Sequence, residues 1–123
     1  MRRAAKGGML LAAGLLVAGS ACAATPDDCS TLRKHGKRPE AQACYESLTQ
    51  SRDPYLRAEG FWGVENYQQA NVEFRLAVAQ SDTNANYRVR WGRLLHERFN
   101  NAEAQYLFKE AIDRDPKVLV LFP

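Results

Sequence analysis

Sliding the chain 34 residues along itself lays Asn66 on Asn100, Ala70 on Ala104, Phe74 on Phe108 and Ala77 on Ala111, all at one offset. The same frame pairs Val78 with Ile112, Arg75 with Lys109, Phe61 with Leu95 and Ala58 with Gly92. A repeat of this length constrains the fold strongly, because each copy is one supersecondary unit that can bury its apolar face only against its neighbours. The spacings of four, three and one residues between Ala70, Phe74, Ala77 and Val78 put those side chains on one helix face. An aromatic ring between alanines lets a second helix approach at the small residues while the ring fills the gap. Ala58 and Gly92, upstream in their copies, are expected to receive that approach.

The element ends are written in the same pattern. Asn66 with Gln69, and Asn100 with Glu103, have the spacing of a capping pair, the first side chain accepting from backbone and the second reaching back. Asp53-Pro54 reads as a cap followed by proline at the first helical position. Asp115-Pro116 closes the last helix, since the residue before proline is driven out of the helical region. These signals predict helices near 28–35, 39–51, 54–64, 67–80, 85–98 and 101–114, with no competing strand pattern.

A helix-turn-helix unit with these spacings resembles the tetratricopeptide repeat, whose pattern is Trp-x2-Leu-Gly-x2-Tyr followed by Ala-x3-Phe, Ala and Pro. The segment 85–118 carries Gly92, Ala104, Phe108, Ala111 and Pro116 at the family's intervals, with Arg88, Trp91 and Leu95 in place of Trp, Leu and Tyr. The segment 51–84 carries Ala58, Phe61, Ala70, Phe74 and Ala77, but has Arg57 for the Leu and Asp82 for the closing Pro. A degenerate third copy is visible where "EAQACYESL" from Glu40 is laid on "EAQYLFKEA" from Glu103, pairing Ala41 with Ala104 and Tyr45 with Phe108. The resemblance implies an all-α fold over 25–118, a right-handed solenoid of about three repeats with the first degenerate, and then a short apolar tail, 119–123.

The chain opens with Arg2, Arg3 and Lys6, an apolar run from Met9 to Ala18, and small residues, the order of a bacterial-type secretory signal peptide. The run is too short to span a membrane. Ala21, Cys22 and Ala23 offer cleavage after Ala23 or Ala24, so 1–24 is read as the signal peptide; the alternative is a lipoprotein anchored through Cys22. Removing 24 of 123 residues takes three of the 17 basic side chains, leaving 14 against 14 acidic ones. A near-neutral mature chain gives no ground for nucleic-acid binding. Cys29 and Cys44 survive processing, and in a periplasmic or secreted setting they read as a disulfide or, failing that, as two small buried thiols. In the degenerate repeat Cys29 takes the small-residue site, so a bond to Cys44 would staple the atypical first unit.

No catalytic constellation stands out. Glu59, Glu65, Glu97 and Glu103 read as carboxylates on solvated helix faces, and His35 and His96 are isolated from each other and from the cysteines, which leaves no metal or cofactor site. In "NYRVRWGRLLHER", Trp91, Leu94 and Leu95 form an apolar stripe, with Arg88, Arg90, Arg93 and Arg98 read as solvated arginines around a core tryptophan. The family resemblance implies a concave groove lined by the first helix of each unit. Here it would present Tyr55, Glu59, Trp62, Asn86, Arg90, Arg93, His96 and Glu97 to a peptide or protein partner. Two functions follow as expectations: an exported interaction scaffold rather than an enzyme, or the N-terminal structural part of a longer envelope protein. The Leu107 side of the last helix is expected to stay partly uncovered unless the tail folds back or another helix docks.

Overall fold

The computed structural model describes residues 24–121; the candidate cleavage site after Ala23, the lipidation site Cys22 and most of the signal segment lie outside them. Six α-helices follow in order: α1 Pro26–Lys34, α2 Arg38–Leu48, α3 Pro54–Gly63, α4 Tyr67–Gln80, α5 Ala85–Glu97 and α6 Asn101–Arg114. A 3-10 turn, Val118–Leu121, comes after them, and no strand occurs among the described residues. None of the described helices is long and apolar enough to cross a membrane.

The fold is all-α. The helices pair as α1–α2, α3–α4 and α5–α6, and each pair packs on the next through α2 against α3 and α4 against α5. Sequence neighbours are thus spatial neighbours throughout. Phe74, fully buried, sits at the centre with Ala58, Ala70, Trp91, Leu94, Leu95, Ala104 and Leu107, and its burial alone contributes on the order of 2 kcal/mol. The rings of Tyr55 and Trp62 meet it edge-on at 6.1 and 6.0 Å.

The small-residue sites behave as their spacing implied. A Cβ on Gly92 would stand 2.6 Å from the Phe108 ring, so α5 and α6 close to a distance only glycine permits. Gly63 is held in the same way against the Tyr45 ring, which lets α3 lie on α2.

All three connections inside the helix pairs are built alike, although only one contains glycine. Gly36, Glu65 and Phe99 adopt positive φ values of 77°, 65° and 65°. The amide of the following residue donates to the carbonyl five residues earlier, Lys37 to Leu32, Asn66 to Phe61 and Asn100 to Leu95, at 2.9, 2.8 and 2.8 Å. The left-handed residue's own amide bonds one turn back as well, Gly36 to Arg33, Glu65 to Trp62 and Phe99 to His96, which makes each a Schellman motif. For Glu65 and Phe99 the conformation costs about 1 kcal/mol each.

These turns correct one expectation. Asn66 and Asn100 do accept from the amides of Gln69 and Glu103 at 3.2 and 3.3 Å, but neither pair closes a reciprocal box. The cap amides are already committed to Phe61 and Leu95, so Glu103 bonds the Asn100 side chain instead at 3.0 Å. A complete capping box stands elsewhere, between Thr25 and Asp28, and starts α1 at Pro26, earlier than predicted.

The first pair is held differently. Cys29 and Cys44 form a disulfide with their Cα atoms 5.3 Å apart, beside a small cluster of Cys29, Tyr45 and Leu48. The α3 helix is also shorter than α5, by 10 residues against 13. Because α3 lacks α5's extra residues at the start, Arg57 and Arg88 are structural counterparts despite lying 31 apart. Each is the fourth residue of its helix, donates to the carbonyl six residues earlier (Ser51, 3.1 Å; Asp82, 2.7 Å), and reaches a glutamate on the next helix (Glu73, 2.9 Å; Glu110, 3.1 Å). Arg88 is only 4 % exposed, which overturns its reading as a solvated arginine; its charge is met by Asp82 and Glu110.

At the far end Leu107 is buried among the central residues, not uncovered, because its helix face turns toward α5. The tail does fold back: Val118 is buried against Ala85, Val89 and Ala111.

Candidate functional site

Two adjoining clefts open along the side where α1, α3 and α5 line up, and they meet at Tyr45, Glu59 and Arg90. The first, of about 530 Å³, brings together Glu59, Trp62, Arg90, Arg93, His96 and Glu97 with Arg33, Tyr45, Gly63 and Phe108. The second, of about 440 Å³, holds Tyr55, Glu59, Asn86 and Arg90 with Thr25, Pro26, Asp27, Ser30 and Tyr45. All eight residues picked out in the sequence therefore border one or other cleft, and Glu59 and Arg90 border both.

Two of the shared residues, Glu59 and Arg90, form a bridge from α3 to α5. Arg90 donates to both carboxylate oxygens of Glu59, Nε at 2.7 Å and Nη2 at 2.9 Å. The Tyr55 hydroxyl donates to the same carboxylate at 2.7 Å. Glu59 is only 4 % exposed, so its reading as a solvated carboxylate is corrected: a buried charge persists where it is paired and hydrogen-bonded. Burial disfavours the Arg90 charge, yet the hydrogen bonds and charge of Glu59 outweigh it and raise the guanidinium's pKa. Burial, followed by the charge and hydrogen bond of Glu59, likewise pushes the Tyr55 hydroxyl up, leaving it a fixed donor rather than an acid. Arg90 too is withdrawn from the solvated set.

Aromatic rings fix the walls. The Arg90 guanidinium lies over Trp62 at 4.5 Å, a cation–π contact, and the Trp62 indole donates to Glu97 at 2.9 Å. Tyr55 stacks on Tyr87 with ring centroids 4.5 Å apart. His96 Nδ1 lies 2.8 Å from Asn101 Oδ1. Asn86 donates from its backbone amide to Asn84, while its own Oδ1 is buried without a partner on the wall of the second cleft.

Sequence reasoning passed over the α1 and α2 contribution. Arg33 donates to the Gly63 carbonyl at 2.7 Å and stands over the Tyr45 ring at 4.5 Å. The signal was present: Tyr45 and Phe108 take equivalent places in the repeat frame, and both reach the first cleft. Degeneracy of the first copy concealed what α1 would face.

Chemically the clefts offer guanidinium groups and aromatic faces that are held in place by neighbours, and the Asn86 amide with its unpartnered oxygen. Among the described residues no group of three His, Cys, Asp or Glu could hold a metal. The arrangement suits recognition by contact. No family model, curated protein or solved structure matches the chain.

Proposed function

We propose that this chain is an exported interaction scaffold, a right-handed solenoid of about three tetratricopeptide-type units that holds a peptide or protein segment in the clefts along α1, α3 and α5. Cleavage after Ala23 or Ala24 delivers it to the periplasm or the exterior, where the Cys29–Cys44 bond forms. The observation that carries the reading is the preformed wall around the Glu59–Arg90 bridge, where Trp62, Arg90 and Tyr55 are held in single arrangements before any ligand arrives. Walls fixed in advance lose little side-chain freedom on binding, and tryptophan, tyrosine and arginine are the side chains that most often dominate such contacts.

The test is selection of random peptides on the purified mature chain, followed by titration of the enriched sequences against variants. Arg93→Ala and His96→Ala should each weaken binding about tenfold or more, whereas Val72→Ala, outside both clefts, should leave it unchanged. Enriched peptides that bind all three variants equally would remove the proposal.

A second reading, that these units extend a longer envelope scaffold, draws on the outer face of α6. The Trp91 indole docks on α4 by donating to Asn71 at 2.7 Å, with Arg75 5.9 Å from the ring and Val78 packed beside the cluster. Gln105, Lys109 and Ile112 take the equivalent places on α6, a face shaped for one more helix. Mass measurement of the native product distinguishes the readings, since a species no larger than the 13.8 kDa precursor rules out the longer protein.

A further inference from the structure

Helix α1 forms a wall of both clefts, through Arg33 in the first and Thr25, Pro26, Asp27 and Ser30 in the second, yet it is the element with the least apolar attachment. Its nine residues, PDDCSTLRK, bury only Cys29. Besides its packing on α2 and α3, it is joined to the rest by the Arg33 hydrogen bond to Gly63, the Arg33–Tyr45 ring contact and the disulfide. By contrast α5 buries seven residues, Val89, Trp91, Leu94 and Leu95 among them. A helix of this length is marginal without packing. Closing a loop of 15 residues' separation disfavours the open chain on the order of a hundredfold, so the covalent bond outweighs any one of the other attachments.

We propose that the Cys29–Cys44 disulfide is a redox latch on the cleft wall: its reduction releases α1 from the helices behind it, the clefts lose Arg33, Asp27 and Ser30, and reoxidation closes them again. The reductant is a dithiol. Its thiolate attacks the sulfur of Cys44, which is half-buried where Cys29 is fully buried; the S–S bond breaks and the Cys29 sulfur leaves as a thiolate that takes up a proton. The reductant's second thiol then displaces Cys44 from the mixed disulfide, so two electrons pass to the protein and the dithiol becomes a disulfide. The inference goes beyond the binding proposal and holds whichever ligand the clefts take.

Hydrogen exchange of the mature chain, oxidised and after dithiothreitol, reads the latch directly. Amides of α1 are expected to exchange at least tenfold faster on reduction, those of α5 and α6 to change less than twofold, and reoxidation to restore the original pattern. The Cys29→Ala/Cys44→Ala variant should show the same local change without reductant. Unchanged protection in α1 overturns the proposal, and so does uniform loss of protection along the chain, which would make the bond a staple of the whole fold. Failure of peptide binding leaves this result untouched, and failure here leaves the binding test standing.

Discussion

The first helix pair and the two that follow hold together by different means. In α3–α6 the 34-residue pattern is intact, and the helices meet through interlocked rings and small residues: Phe74 among Ala58, Ala70 and Trp91, and Phe108 against Gly92. In α1–α2 the pattern has decayed, the helices have only nine and 11 residues, and a covalent bond stands beside a cluster of three buried side chains. A covalent bond supplements sparse packing there, while the turn between the helices has the same Schellman geometry in all three pairs. The same turn geometry therefore serves helix pairs that are packed in different ways.

Truncating Phe74 to Ala should have the largest effect on this contrast, a loss of about 4 kcal/mol in urea unfolding, because its ring contacts join α3, α4 and α5. A loss under about 1 kcal/mol would mean that the later pairs are not held by interlocked packing. Gly63→Ala should cost about 2 kcal/mol, as the new methyl group collides with the Tyr45 ring on which the first pair and the second meet; no change in the denaturation midpoint would show that this seam is slack. Phe99→Gly should stabilise by about 1 kcal/mol, since it relieves a left-handed backbone that glycine adopts freely, and Gly36→Ala should destabilise by a similar amount. If thermal melts showed the same sign for both substitutions, the three turns would not be equivalent.

The smallest effect concerns pH. Hydrogen bonds from Arg88, then from Arg114, hold the Asp82 carboxyl below its usual range. A depressed carboxylate adds stability that is complete above its unfolded pKa of about 4 and is lost as pH falls through the lower folded value. The difference between native and Asp82→Asn melts should accordingly be constant near neutrality and shrink below about pH 4. A difference that grew on acidification would reverse the assignment.

The elements with an intact repeat were the most legible. The bounds of α4 and α6 agree with the capping and proline signals residue for residue, because in these the local cues and the packing pattern coincide. The start of α1 was missed because the cap formed by Thr25 and Asp28, with Pro26 at the first position, directly follows the processing site and was not read as a helix start. The Schellman turns at Glu65 and Phe99 left no glycine to mark them. At the clefts, the family resemblance pointed to Tyr55, Trp62 and Arg93, which do border them. It did not disclose that Glu59 and Arg90 neutralise each other, because a bond spanning 31 residues depends on how α3 and α5 are juxtaposed. The same holds for Arg88, whose partners lie in a loop and on the next helix.

Arg57 and Arg88 each tie a helix pair to the loop that leads into it, so an arginine joint pins each lead-in loop. The two joints are unlike. Arg57 meets Glu73 with both side chains largely enclosed, at 23 % and 11 % exposure, whereas Asp82, gripped by Arg88 and Arg114, is 65 % exposed. Exposed charges are screened by salt far more than enclosed ones. Raising ionic strength or acidity should thus loosen the loop before α5 while the loop before α3 stays pinned, and hydrogen exchange around Asp82 should register the loosening before any helix melts. The molecule has, in effect, a preferred place to flex.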